Sequence, residues 1–423
     1  MSHIRYYLVI IGAASLMFAI ALGTTCLSFF VEPITEEFGF SRSAFTVYSS
    51  LIPLVGMITI PFIGRIISKV GVQIVVVVGG IYTAICVAGF SFCNSLVSFY
   101  IVGALVGLTL FGITNVAATI VINTWFIKKR GTFMGIVMAS SGISGAIFGL
   151  FFPTLIADFG WRFGYIILAV GILVFTVPSG LLLLRNSPAS VALNPYGAQE
   201  TLQGVPESGT GSAAITESVG VSYKTATKSL PFYVCLVLIL ISSIVSGALQ
   251  HLPSIFTSSG LSPVEAGSLM SIMMVVLIVA KILIGFLNDK FGAKVTTIIV
   301  YSIFICSLVV LVTSHSFILF VIAMVCFAFG LGSPTVMLPL ITGKIFGQKD
   351  FAAIWSILSI FSALGNAISA PVWGLSYDLT GSYAVAAAGS ALLSVLIIVL
   401  TFVALNAGSK LEQSDSYLSS NKN

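Results

Sequence analysis

The sequence predicts an all-α polytopic membrane protein. Twelve transmembrane helices are expected, arranged as two pseudo-symmetric halves of six helices each. Three observations lead there. The chain has 423 residues, of which 58% are hydrophobic and only 7% charged, whereas soluble proteins carry about 25% charged residues. So few charges cannot cover a soluble globule of this size, so lipid must be the solvent. The apolar runs are continuous and about 20–29 residues long, which suits helices crossing roughly 30 Å of hydrocarbon; a barrel strand needs only about 10 residues and alternates in polarity. Finally, Gly64-Arg-Ile-Ile-Ser68-Lys69-Val-Gly71 returns 221 residues later as Gly285-Phe-Leu-Asn-Asp289-Lys290-Phe-Gly292. Both read Gly-x-x-x-[Ser/Asp]-Lys-x-Gly.

Hydropathy places the spans near 7–31, 44–63, 72–93, 96–124, 132–156, 162–184, 230–252, 263–287, 295–313, 317–341, 352–375 and 383–406. The first run is longer than the apolar core of a cleavable signal and leads directly into further spans, so it is read as a transmembrane helix. The expected organisation is a six-helix bundle over 1–184, a polar and partly flexible cytoplasmic linker over 185–229, a second bundle over 230–407 and a polar cytoplasmic tail over 408–423. The 40 glycines fit close helix packing in lipid. All six cysteines fall inside apolar runs without CxxC or Cys/His spacing, so they read as packing residues. Trp125, Trp161, Trp355 and Trp373 lie toward span ends and are expected mostly as interfacial anchors.

Charge placement sets the orientation. With the N-terminus inside, 15 of the 18 Lys and Arg residues are cytoplasmic, Arg42 and Arg162 are outside, and Lys281 lies within a span. The net charge of +5 is thereby explained as an orienting charge that meets anionic lipid heads, not nucleic acid. Both termini are expected in the cytoplasm and the protein in the cell membrane.

The halves echo one another further. Pro153…Asp158-Phe-Gly160-Trp161-Arg162 parallels Pro371…Asp378-Leu-Thr-Gly381, and Phe126-Ile-Lys128-Lys129-Arg130-Gly131 parallels Phe346-Gly-Gln-Lys349-Asp350-Phe351. Alternating-access carriers are built from such repeats. On the paired hinge motif, the chain resembles the major facilitator superfamily over essentially its whole length outside linker and tail. A narrower resemblance is to the oxalate/formate antiporter and monocarboxylate transporter branch. It rests on Glu36-Glu37-Phe-Gly39-Phe-Ser41-Arg42, on Trp125-Phe126-Ile-Lys128-Lys129-Arg130-Gly131…Met134-Gly135, on Gly260-Leu-Ser262…Glu265-Ala266, and on a cation four residues before the hinge glycine of span eight. In that branch the span-eight cation is usually arginine and is held to bind substrate carboxylate; the matching residue here is Lys281. The chain departs from the branch at three places. Ser362 stands nearest the second cation of oxalate carriers, Leu277 where many proton-coupled carriers place aspartate, and Ser68 where the superfamily usually has aspartate in the first hinge.

Lys281 is the only Lys, Arg, Asp or Glu inside an apolar run. A charge at mid-membrane costs about 2.5–3.5 kcal/mol on insertion scales, and on a helical rise Glu265 is about 24 Å and Asp289 about 12 Å away. A substrate carboxylate would supply the missing anion. The competing reading is a lysine that snorkels toward the headgroups. The hinge residues Gly64, Lys69, Gly71, Gly285, Asp289, Lys290 and Gly292 are read as a gating device. In it Asp289 caps a neighbouring helix or pairs with a cation such as Lys290 or Lys294; the alternative is a solvated turn. Asn115, Asn366, Tyr48, Ser141 and Gln250 are candidate cavity residues beside Lys281, each with a packing alternative. His251 is a candidate coupling residue because histidine titrates near physiological pH.

No metal site, cofactor site, phosphate loop or nucleophile constellation is present in the sequence, and an enzyme is not expected. The expected function is secondary active transport of a small organic anion, foremost a monocarboxylate, by alternating access, with Lys281 pairing the carboxylate. One lysine matches one negative charge better than two. A proton or a counter-anion is the candidate co-substrate, and the monomer is the expected functional unit. The alternative keeps the fold and changes the cargo to a larger amphipathic anion, bile-salt-like or aromatic, or an exported drug.

Overall fold

The computed structural model describes residues 2–198 and 220–420, so the middle of the linker, 199–219, and the last residues, 421–423, lie outside the described part. The described chain is helical nearly throughout, and its β-type pairings are isolated bridges between Phe126 and Tyr196 and between Gly220 and Gly347. It forms two compact units. One comprises Met1–Lys128 and Val137–Thr216, the other Lys129–Ile136 and Glu217–Asn423.

The first unit contains α1 (Ser2–Leu22), α2 (Val31–Phe38), α3 (Arg42–Val70), α4 (Val72–Gly89), α5 (Leu96–Gly107), α6 (Ala117–Trp125), most of α7 (Arg130–Phe159) and α8 (Trp161–Pro178). Its helices start where hydroxyl residues can satisfy the orphan amides of a first turn: Ser41 accepts from the Ala44 N–H, and Ser95 and Ser98 cap each other's backbone. Several spans are locally irregular, the third ending in a 3₁₀ turn at Phe90–Phe92. The first passes through a tight 3₁₀ segment, Thr25–Phe30, before α2. The fourth contains a π turn at Gly112–Val116, and the sixth ends in another at Ser179–Leu183. An aromatic core fills the middle of the unit. Phe30 stacks on Tyr165 at 4.0 Å, and Phe45, Tyr48, Phe90 and Phe99 pack around them. Around this core, apolar side chains such as Ile58 and Ile85 face outward. Lipid is as apolar as these side chains, so packing and hydrogen bonds hold such helices together more than water exclusion does.

The second unit contains α9 (Tyr223–Ala226), α10 (Leu230–Val245), a 3₁₀ segment Ser246–Gln250, α11 (Leu252–Ser258), α12 (Pro263–Thr313), α13 (Phe317–Phe346), α14 (Phe351–Thr380) and α15 (Ala384–Ser420). Ser262 and Glu265 form a reciprocal capping box at the start of α12, with Pro263 in the first turn. Among the described residues, eleven helices are long and apolar enough to cross a membrane. One of them, α12, has 51 residues and is broken at Gly292, where φ is 78° and ψ 166°. No L-residue with a side chain takes that conformation readily. The break turns the eleven helices into the twelve crossings expected. Gly71 ends α3 with nearly the same backbone, φ 90° and ψ 155°, so the last glycine of each repeated motif makes the same turn.

One expectation is revised. The tryptophans are not interfacial anchors: Trp125, Trp161, Trp355 and Trp373 are all buried. Trp125 donates its indole N–H to the Arg185 carbonyl at 3.1 Å, which ties the end of α6 to the start of the linker. The linker is docked at both described ends. Ile127 and Lys128 donate to the Tyr196 carbonyl, both at 3.0 Å, while Val221 donates to Phe346 at 2.9 Å and Tyr223 to the Asp350 carboxylate at 2.7 Å. The polar tail continues as part of α15 to Ser420.

Candidate functional site

The site is built where the first turns of α7 meet α12, both within the second unit. The sequence Gly131-Thr-Phe-Met-Gly135 places two glycines one turn apart on one face, a spacing that lets helix backbones approach closely. A Cβ on Gly131 would strike the Gly285 carbonyl, one on Gly285 the Gly131 carbonyl, and one on Gly135 the Lys281 carbonyl. Glycine is required at all three positions because two backbones occupy the space.

That seam brings Asp289 to the start of α7. Its carboxylate accepts from the Gly131 N–H at 2.7 Å and from the Thr132 N–H and hydroxyl, both at 2.6 Å. These amides are among the four that a helix leaves without internal partners. A negative group there also complements the positive end of the helix dipole. Asp289 therefore caps α7 from a distance of 157 residues in sequence. The two hinge lysines turn elsewhere: Lys294 donates to Asn406 at 2.6 Å, and Lys290 lies over the Phe291 ring at 5.2 Å.

Two turns before Asp289, Lys281 is half-buried. Its stem packs against Gly332 of α13: a Cβ at that glycine would lie 3.3 Å from Lys281 Cγ and 3.3 Å from Leu277 Cδ1. Gly332 thus leaves the room through which the lysine stem runs. At the position resembling the second cation, Ser362 shares a hydrogen bond of 2.9 Å with Ser243 of α10. A neutral hydroxyl pair therefore stands there, which adds no positive charge to that of Lys281.

The other sequence-predicted residues are distributed as follows. Asn366 is exposed on α14, and the side chain of Gln250 lies outside the described part. His251 is half-buried at the end of the 3₁₀ segment, with Nδ1 3.4 Å from the Tyr383 hydroxyl and Cε1 3.5 Å from where a Cβ on Gly374 would sit. In the first unit, Asn115 is half-buried inside the π turn. Ser141 bonds the Met138 carbonyl of its own helix at 3.0 Å. Tyr48 sits wholly inside the aromatic core, its hydroxyl 3.2 Å from that of Tyr165 and 3.3 Å from the Leu27 carbonyl. Gly64 is buried and Lys69 exposed, while a Cβ on Gly71 would strike the amide of Asn186. The structure thus brings Lys281, Gly285 and Asp289 together with Gly131, Thr132 and Gly135, and sets Tyr48 and His251 in clusters of their own.

Two features went unread in the sequence. Thr132 doubles the hold of Asp289, but one hydroxyl beside a basic loop carries no sequence signal. At the opposite end of the first unit, Glu37 accepts from the Trp161 indole and from Arg162 at 2.8 Å, and Arg162 also reaches Asn94 at 2.9 Å and lies over the Trp161 ring at 4.2 Å. The Trp161 hydrogen bond, followed by that from Arg162, holds the Glu37 carboxyl below the usual carboxylate range. The signal was the tandem Trp161-Arg162 facing Glu36-Glu37, like the glycines a matter of pairing distant segments.

The family profile described as the Major Facilitator Superfamily matches residues 13–307 and again 232–416. The chain belongs to the major facilitator superfamily. Accordingly it is a multi-pass membrane transporter of a small molecule and not an enzyme. The double match over 232–307 agrees with a chain whose halves repeat. The chain is similar to monocarboxylate transporter 12-B of Danio rerio, 24% identical over 85% of this chain and 78% of that protein. It is likewise similar to monocarboxylate transporter 12 of Rattus norvegicus, 25% identical over 86% and 78%. Among solved structures it shares the fold of the superfamily transporter FucP in its outward conformation, with a TM-score of 0.74, 14% identity, and coverage of 95% of this chain and 99% of the other. The proton:xylose symporter XylE gives a TM-score of 0.71 at 15% identity, covering 95% and 96%.

Proposed function

We propose that this superfamily member carries a small organic anion, a monocarboxylate, by alternating access, with Lys281 pairing the substrate carboxylate. The observation that carries the reading is Lys281 itself, the one cation within an apolar run of the sequence, on the helix that carries the glycine seam and the aspartate cap. The similar proteins from Danio rerio and Rattus norvegicus are monocarboxylate transporters, which supports the same substrate class. A hydroxyl pair at Ser243 and Ser362, in the place of a second cation, favours a monoanion over a dianion on charge balance. In this reading the ammonium is exposed to one side of the membrane and then the other. The hold of Asp289 on α7 forms in one state and breaks in the other. The cell membrane is the proposed location, with both termini in the cytoplasm and the monomer as the working unit. A proton or a counter-anion is the proposed co-substrate, with His251 as a candidate proton-bearing group.

Uptake of labelled lactate, acetate and formate into proteoliposomes, with and without an imposed pH gradient, tests the reading. Lys281→Gln is expected to abolish uptake while the variant still reconstitutes at wild-type levels. Full transport by Lys281→Gln would overturn the assignment. Stimulation by an inward proton gradient identifies symport, and stimulation by anion on the far side identifies exchange.

A further inference from the structure

We infer that the first unit holds a phosphate group, that of an anionic phospholipid headgroup, between Arg5 and Arg185. Gly12 of α1 packs against the end of the sixth span, where an added Cβ would lie 2.9 Å from both Leu183 Cβ and Leu184 Cδ2. Two helical turns before Gly12, about 10 Å along the axis, stands Arg5, and directly after Leu184 stands Arg185. The two guanidinium groups are close enough to repel each other electrostatically. Arg5 Nε is buried and has no hydrogen-bond partner. Arg185 Nη1 is spent on the Leu181 and Leu184 carbonyls at 3.0 and 2.8 Å, which fixes the group. Its remaining nitrogens have no acceptor among the described residues.

Among the described residues of the unit, no carboxylate supplies the counter-charge. Among the described residues its carboxylates are Glu32, Glu36, Glu37 and Asp158. The three glutamates follow the first crossing, which Arg5 begins, and Asp158 precedes the sixth, which Arg185 ends, so a full span separates them from the pair. A buried, unpartnered guanidinium N–H is costly, and a planar guanidinium matches phosphate oxygens in geometry. Both arginines sit at the ends of apolar helices, at the depth of headgroups. Beside the pair, the half-buried Tyr6 lies edge-on to the buried Trp125 at 6.1 Å and to Tyr196 at 5.5 Å, which fixes this end of α1. Asn186, next to Arg185, packs on the Gly71 turn of the first hinge, so an occupied site would brace that hinge.

The test uses the purified full chain and native mass spectrometry. Retention of palmitoyl-oleoyl phosphatidylglycerol is compared with that of the phosphatidylcholine of the same chains, and inorganic phosphate is added in a separate arm. Wild type is expected to retain phosphatidylglycerol preferentially. Arg5→Gln and Arg185→Gln should each weaken retention about 5-fold, as expected for one basic group at an anionic surface, and the pair about 25-fold. Arg65→Gln, a cation at the same end but outside the pair, should change it less than 2-fold. Arg5→Lys should restore part of the loss, which separates charge pairing from misfolding. Displacement of the lipid by millimolar phosphate supports the phosphate site and identifies free phosphate as a competing source. Equal retention by wild type and the double variant, or an equal loss with Arg65→Gln, would overturn the inference.

Discussion

Replacing Asp289 with alanine removes the acceptor for three donors at the start of α7, the Gly131 N–H, the Thr132 N–H and the Thr132 hydroxyl, at 2.7, 2.6 and 2.6 Å. Bonds to a charged acceptor contribute about 1.5–3 kcal/mol each when shielded. Asp289 is exposed, so solvent screening reduces the whole set to about 2 kcal/mol. First-turn amides have no intrahelical acceptor to fall back on. Their protection from hydrogen exchange therefore reads the cap directly. A loss of about 2 kcal/mol corresponds to about 30-fold faster exchange. The assay is hydrogen–deuterium exchange with mass spectrometry on a peptide containing 131 and 132, at fixed pH in detergent. Asp289→Asn keeps one acceptor oxygen but turns an amide donor toward the other donors, so exchange should accelerate by about 5- to 10-fold. If exchange at 131 and 132 stays within 2-fold of wild type in Asp289→Ala, the carboxylate does not hold the helix and the latch is refuted.

Gly285→Ala puts a methyl group into the Gly131 carbonyl. The resulting overpacking, about 1–3 kcal/mol, should lower Tm and loosen the same amides; an unchanged Tm would show that the seam yields without cost. Glu37 has a depressed pKa, so its contribution to stability is fully present above the ordinary carboxylate range and disappears as pH falls through the lower folded value. Tm of wild type should therefore hold from pH 7 to pH 5 and drop below about pH 4, whereas Glu37→Gln should start lower and lose part of that acid sensitivity. Parallel Tm–pH curves for the two proteins would contradict this. Ser362→Lys breaks the hydroxyl pair with Ser243 and adds a second cation, so oxalate should compete against labelled monocarboxylate at least 10-fold better than in wild type. Competition unchanged from wild type would separate position 362 from substrate charge selection.

The Gly285–Gly292 hinge was legible in the sequence because its residues are neighbours and its repeat at 64–71 is in register. Asp289 was legible as a helix cap, but not which helix it caps. The irregular segments were not legible at all. Thr25–Phe30 and Ser246–Gln250 begin 221 residues apart, the same interval as the hinges, yet TCLSFF and SGALQ share no pattern. A 3₁₀ segment is a response to packing and leaves no fixed residue signature. Tyr48 shows the opposite error. A mid-span hydroxyl suggests a cavity, but three aromatic neighbours and Tyr165 absorb it.

By itself the sequence determined residence in the membrane, twelve crossings and the superfamily's two-fold repeat, because lipid tolerates few charges and requires each crossing to satisfy its own backbone. It also singled out Lys281, because a charge inside an apolar run is visible without coordinates. The tertiary structure alone decided the contacts made across helices: Gly332 beside the Lys281 stem, Gly135 against its carbonyl, Asp289 on Gly131 and Thr132, and Ser362 on Ser243. These contacts join residues 50 to 160 positions apart. They depend on how helix backbones approach one another, and that follows from the packing of whole faces, which a single chain's residue order does not display.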